Sequence, residues 1–535
     1  MSDFDVVLVG SGINSLVCGA MLAKAGWRVG IFERNGYLGG AIRTEEITRP
    51  GFKHDLFAAW HPLFVGSPAY AELKDDLVAR GLVYLNTELP TASLYPDGDA
   101  AFLTTSPEKN VAELERLSPG DGQAWLQFLT DFAPNMDLVF RLLGTNLWSA
   151  DGAALLQEAV GRLGPEGLQA LSGEALSSCR AWLTTNFASP KVHGLLAPWV
   201  LHTGLSPEAP YSGMMTQVTA AALQTFGCPI PRGGSARLVD ALVRLIEDCG
   251  GECHENADVV QVLVENGRAT GIRLKGGETV TAARAVIANV TPSQLYLRLL
   301  DESLVPPATL RGARRFRHGL GDMQIHMALS EPPKWLGDER LAGSALVNIT
   351  AGLDGVSKSV NEATRSLLPA KPTICCGQPM AIDPSRAPDG TWILWIQLLD
   401  MPNHPVADAA EKIPFKGPGW TDDLKERYAD RVQKMLSRRI GNLESALLDR
   451  VVLSPADLEK ENINLVGGDP YGGALDIAQH FLWRPFPGRP GHQTPVAGLF
   501  HIGASTYPGH GLGAGSGTMV AKQLLAGAYS RDSGA

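Results

Sequence analysis

Near the start of the chain the apolar positions change period twice. Phe4-Asp-Val-Val-Leu-Val9 is a largely β-branched apolar run that ends at a glycine, the pattern of a strand buried on both faces. From 13 to 25 apolar and small residues recur at helical spacing (Leu16, Ala20, Ala23), and Gly26 closes the run. Val29 to Phe32 read as a second short strand, ended by Glu33. Together they predict a βαβ unit.

The pattern then changes. Residues 61–225 are rich in Leu, Ala and Trp, broken by prolines and without alternation, which predicts helices. A second α/β piece follows at 228–290, with a helix over 235–249 and strands over 258–265, 269–275 and 279–287. Strands are predicted again at 322–329 and 391–397, a polar, basic-rich helix at 421–440, and a strand, glycine-dense loop and helix within 495–530. No internal repeat is found. The stretch 125–148 reads as a core helix, with peripheral contact to a membrane as its rival. No run of 18 uninterrupted apolar residues predicts a transmembrane segment.

Composition narrows the class. A chain of 535 residues with 44% apolar and 19% charged positions is globular and too long for one core. Its net charge of −10 argues against a nucleic-acid partner. The local basic cluster Arg311, Arg314, Arg315, Arg317 and His318 reads as a solvated face. Seven cysteines without a Cys-x-x-Cys pair suggest no disulfide framework and no metal site, so a reducing cytoplasm is expected. The N-terminus lacks the basic region of a secretory signal.

Three motifs carry chemistry. The first is Gly10-Ser-Gly12-Ile-Asn14-Ser15, answered by Glu33 at the tip of the second strand. Such a turn lets backbone and a helix N-terminus approach a dinucleotide pyrophosphate, and the carboxylate can hold the ribose hydroxyls. Ser15 stands where a third glycine is usual, and a carboxylate at position 33 disfavours a 2′-phosphate. The second motif is Gly39-Gly40 flanked by Arg34, Arg43 and Thr44. A bare Gly-Gly backbone can pass close to a pyrophosphate and ribityl chain, and the arginines can supply charge-assisted bonds. The third is the loop from Gly503 through Ser505, Tyr507, His510, Gly511 and Leu512 to Gly517, between a strand and a helix of small residues. Its backbone can lie against a flat ring, and its helix N-terminus can stabilise negative charge there.

In order and spacing these motifs resemble the phytoene-desaturase-like flavoproteins of the amine-oxidase-related superfamily. The branch they are most similar to holds the carotenoid ketolases and the pyridine nucleotide-disulfide oxidoreductase domain-containing protein two. Pro231–Leu242, Val259–Ile272, Asp383–Gly390 and the stretch from Leu453 to Pro485 extend the resemblance through the chain. It implies one non-covalent FAD in a discontinuous Rossmann-type α/β domain, with a mixed β-sheet and helical substrate domain. The expected segments are 1–60, 227–295 and 485–535 for the FAD-binding domain, and 61–226 and 296–484 for the substrate domain. It also implies that Val259 presents backbone to the adenine. Two departures stand out: His510 interrupts a glycine run, and Ala504-Ser505 replaces an acid.

The expected activity is dehydrogenation or desaturation, with hydride passing from a largely apolar small molecule to flavin N5. Amine oxidation, a redox-neutral isomerase and a flavin-holding scaffold remain open alternatives, as does the oligomeric state. Tyr507 and His510 are the acid/base candidates on the loop. His61, with His54 and Trp60, is the candidate beyond the Gly-Gly motif.

Overall fold

The computed structural model describes residues 2–527. One sheet is assembled from three distant stretches. Its strands are β1 (Phe4–Val9), β2 (Val29–Phe32), β3 (Glu252–His254), β4 (Val259–Glu265), β5 (Arg268–Leu274), β6 (Thr279–Asn289) and β7 (Leu499–Ile502). β1 lies between β2 and β6, parallel to both, with Val7 opposite Gly30 on one side and Val286 on the other. β7 pairs in parallel with β6, and β3 with β2. An antiparallel ribbon of β4 and β5 extends the sheet by pairing with the first residues of β6, Thr279 to Thr281. β2, β7 and all of β1 but Asp5 are buried, so their apolar runs show no alternation.

Three helices cover this sheet: α1 (Ile13–Lys24), α2 (Ala236–Asp248) and α3 (Gly515–Leu525), with α1 packed on both others. Contact between α1 and α3 requires glycine. A Cβ on Gly517 would lie 2.0 Å from the carbonyl oxygen of Asn14. Gly517 N donates to Asn14 Oδ1 at 3.0 Å, and Asn289 Nδ2 donates to Ser15 Oγ at 3.0 Å. The opening turn, the end of β6 and the last helix are thereby fastened together.

The second sheet runs in the order Leu447–Leu453, Gly321–Leu329, Trp392–Met401, Ile374–Gly377, Leu346–Ile349, Thr91–Leu94, Ala100–Leu103. The last two strands fall inside the stretch read as helical. Each is buried along its whole length and built of small and apolar residues, so no alternation betrays it. The helices Asp121–Gly144, Ala150–Ala175, Cys179–Asn186 and Ser212–Phe226 stand beside this sheet. Trp125, Phe128 and Phe132 of the first pack with Trp182 and Phe187 in one core, and Trp125 Nε1 donates to Gln224 at 3.0 Å. Among the described residues no helix is long and apolar enough to cross a membrane.

A buried clamp joins the small ribbon of Thr44 and Asp55 to the start of α2 and to the turn Pro384–Arg386. Arg386, fully buried, donates to Asp55 Oδ2 at 2.6 Å, and Asp55 Oδ1 accepts from Thr44 Oγ1 and from Ser235 N. Asp383 Oδ2 accepts from Gly233 N at 2.6 Å. The sequence stretches around 231 and 383 meet here.

Candidate active site

A cavity of about 350 Å³ runs from the tips of β1 and β2 to the second sheet. Its walls fall into two clusters.

The first cluster is mostly backbone. Gly10, Gly12 and Asn14 line it at the start of α1, with Glu33, Arg34, Gly39, Gly40 and Val259. Ser11 ties the cluster together: its hydroxyl donates to Glu33 Oε2 at 2.8 Å and accepts from Gly39 N at 3.0 Å, while Ser11 N donates to the same carboxylate at 2.9 Å. Asn35 N holds the other oxygen, Oε1, at 3.0 Å. Gly40 has φ of +61°, and a Cβ there would lie 3.1 Å from Gly12 Cα. No side chain caps α1 and no acid stands in its first turn. Bare backbone, an uncapped helix N-terminus and a fixed carboxylate fit an adenosine ribose and pyrophosphate.

Side chains make the second cluster. Asp322 and Gln397 from adjacent strands, Leu399, His202, Tyr471 with Gly472, and Ala504, Ser505, His510, Gly511 and Leu512 of the last loop converge on it. Gln324 and Gln397 amides donate to Asp322 Oδ2 at 2.7 and 3.0 Å, whereas Oδ1 is buried without a partner. Burial pushes the Asp322 carboxyl up to about 7, the two amides opposing it. The His510 ring stands edge-on to Tyr471, its centroid 5.0 Å away, with Nε2 at 3.3 Å from His202 O and Nδ1 unpartnered. Burial holds His510 and His202 down at about 4, so both are neutral at pH 7. Buried polar atoms left without partners at a cavity wall fit a bound ring bearing donors and acceptors.

A third layer stiffens the second cluster. The buried guanidinium of Arg484 donates to the carbonyls of Tyr471 at 2.6 Å and Ala504 at 2.9 Å, and Ser505 Oγ donates to Gly472 O at 2.6 Å. Asp469 gathers the amides of Gly319, Tyr471 and Gly473.

Several expected positions lie elsewhere. Tyr507 is fully buried, its hydroxyl donating to Leu142 O and its carbonyl accepting from His492, and it does not line the cavity. His61 is off the cavity too, bonded through both nitrogens to Tyr84 and Ser235 at 2.9 and 3.1 Å. In the structure both side chains are held by these bonds, away from the cavity lining. The Arg43 guanidinium, over the Tyr37 ring, is spent on Glu45 and Glu461, and so is not aimed at a pyrophosphate. Thr44 belongs to the Asp55 clamp. Ser15 and Gly503 stand behind the wall, both against Asn289.

Asp322, Gln397, His202, Tyr471 and Asn289 were not anticipated. A signal for the first existed: Asp322, Gln324 and His326 alternate along an otherwise apolar strand, a polar stripe on one face. Gln397 faces Gln324 across the ladder.

Comparison with known proteins agrees with this geometry. The family described as flavin containing amine oxidoreductase matches residues 16–391. The chain is 26% identical over 541 residues to a subunit of limonene dehydrogenase from Castellaniella defragrans, covering 97% of this chain and 94% of that protein. It is 26% identical to the zeta-carotene-forming phytoene desaturase of Myxococcus xanthus, covering 95% and 90% respectively. In fold it resembles the crystal structure of an oxidoreductase from Methanosarcina mazei, with TM-score 0.62, 17% identity, and coverage of 97% of this chain and 99% of the other. With the first and last glycine loops brought around one cavity, and that match spanning most of its length, the chain belongs to the flavin-containing amine oxidoreductase family and is an FAD-dependent oxidoreductase.

Proposed function

We propose that the chain dehydrogenates a largely apolar organic molecule bound beside Leu399, His510 and Tyr471, with Asp322 as the proton acceptor. One observation carries this reading: Asp322 lines the cavity, and one oxygen of its buried carboxylate, Oδ1, has no hydrogen-bond partner. FAD, when bound, supplies the hydride acceptor. The residues of the chain do the rest. Gly10, Gly12, Asn14, Glu33, Arg34, Gly39, Gly40 and Val259 would hold the adenosine and pyrophosphate, and Ser505, Gly511 and Leu512 the ring end. Gln324 and Gln397 orient the Asp322 carboxylate by occupying Oδ2. A carboxyl titrating at about 7 is half ionised at neutral pH, which suits general-base work. As one C–H bond yields hydride, the neighbouring C–H yields its proton to Oδ1, and the electron pair of that second bond closes the C=C bond. His510, neutral at pH 7, and Leu399 exclude water from that pair.

The relatives named for limonene and phytoene support an isoprenoid hydrocarbon as the substrate class. We assign the FAD-binding part to 1–60, 227–295 and 485–535, and the substrate part to the remainder. The test is anaerobic mixing of the FAD-loaded protein with cyclic and linear isoprenoids and, separately, with primary amines. Bleaching of the flavin absorbance by an isoprenoid is expected; bleaching by amines alone would overturn the reading.

A further inference from the structure

A groove of about 670 Å³ opens on the substrate part and shares no lining residue with the FAD cavity. One wall is a single face of the helix Asp422–Leu436 and its continuation: Arg427, Asp430, Arg431, Lys434, Met435 and Arg438 recur at helical spacing. The floor is apolar, with Leu94 and Ile349 at the ends of two strands, and Lys371 and Lys412 stand on loops opposite.

Charge makes the groove unusual. Arg427 and Arg431 are paired with Asp423 and Asp408, and the lining acid, Asp430, is taken by Arg450. Lys371, Lys412, Lys434, Arg438 and Arg439 have no carboxylate within ion-pair distance among the described residues. In the basic cluster 311–318, Arg314, Arg317 and His318 each have an acid within ion-pair distance, which leaves only Arg311 and Arg315 without one among the described residues. Five uncompensated cations gathered in a protein of net charge −10 repel one another, and an anion between them removes that cost. Apolar floor and cationic rim together suit a molecule with a flat or apolar body and a charged end, and the volume is that of a small-molecule site.

We propose that this groove binds a soluble, phosphate-bearing organic anion of nucleotide size, its phosphates held by Lys434, Arg438 and Arg439 and its body on the Leu94–Ile349 floor. The protein loaded with FAD, so that the dinucleotide cavity is filled, is titrated calorimetrically with ADP and separately with inorganic pyrophosphate. Saturable binding is expected, tighter for ADP, and weakening as salt rises from about 0.05 to about 0.3 M. The double variant Lys434→Gln/Arg438→Gln should weaken ADP binding about tenfold or more, with flavin absorbance and Tm unchanged, while Arg311→Gln leaves binding as it was. The proposal is overturned if neither probe binds, or if the double variant binds ADP as the parent does. Co-sedimentation with phosphatidylglycerol vesicles without binding of ADP overturns it in favour of a membrane headgroup.

Discussion

The two ends of the cavity between β1, β2 and the second sheet are built on opposite plans. At the β1–β2 end the wall is backbone, supplied by residues that are neighbours in sequence: Gly10 to Asn14, Glu33, and Gly39 with Gly40. At the other end it is side chains, brought from positions as scattered as His202, Asp322, Gln397, Tyr471 and His510. A cofactor common to many chemistries can be held by main-chain atoms that any residue carries, provided no Cβ obstructs them. A particular substrate has to be met by particular side chains; of this set Asp322 and Gln397 stand on the second sheet, and His202, Tyr471 and His510 lie outside it.

Acid should produce the largest effect, and should fall chiefly on the side-chain half. His202 and His510 there, with His54, His326 and His480 in the substrate part and its approaches, and His61, His492 and His501 on the side of the first sheet, are held neutral by burial well below the ordinary histidine range. A folded-state value below the unfolded one means stability is complete above pH about 6.5 and is lost as pH falls toward about 4. Differential scanning fluorimetry should show Tm falling steeply over that window, with FAD released on the same curve. A flat Tm would mean these imidazoles are solvated.

Asp322→Asn comes next. The amide keeps the shape and removes the base, so the rate of anaerobic flavin reduction should fall about 10²–10⁴-fold. FAD content should be unchanged, and the rise in rate through pH about 7 should vanish. Retention of that pH limb would move the base elsewhere. Glu33→Gln probes the backbone half: losing a charged acceptor held by three donors should weaken FAD about 10- to 100-fold, leaving the reduction rate of the loaded protein nearly unaltered. The smallest effect is expected from Tyr507→Phe, which severs one bond to Leu142 behind the wall and should change the reduction rate by less than about threefold. A large loss there would return Tyr507 to the site.

The same contrast explains what could be read in advance. Gly10, Gly12, Glu33, Gly39 and Gly40 announce themselves because their spacing is local and each has a steric or electrostatic reason. The meeting of first and last segments was legible through the family that their glycine loops resemble. The partners that Arg43 and Thr44 take in the structure, Glu461 and Asp55, were not legible, because the first is far off in sequence and the second meets Thr44 only through the fold. Tyr507 and His61 have the right chemistry in the right neighbourhood, but a side chain's direction depends on packing that no motif encodes. Asp322 and Gln397 become partners only through strand register. The strands Thr91–Leu94 and Ala100–Leu103 were hidden because full burial erases the alternation by which strands are recognised.

The contact of Gly517 with Asn14 has a consequence for biosynthesis. Until the helix Gly515–Leu525 has left the ribosome, the amide that bonds Asn14 Oδ1 is missing and α1 lacks one of the two helices it packs against. The first βαβ unit therefore completes its packing only with residues made 503 positions later, at the far end of synthesis.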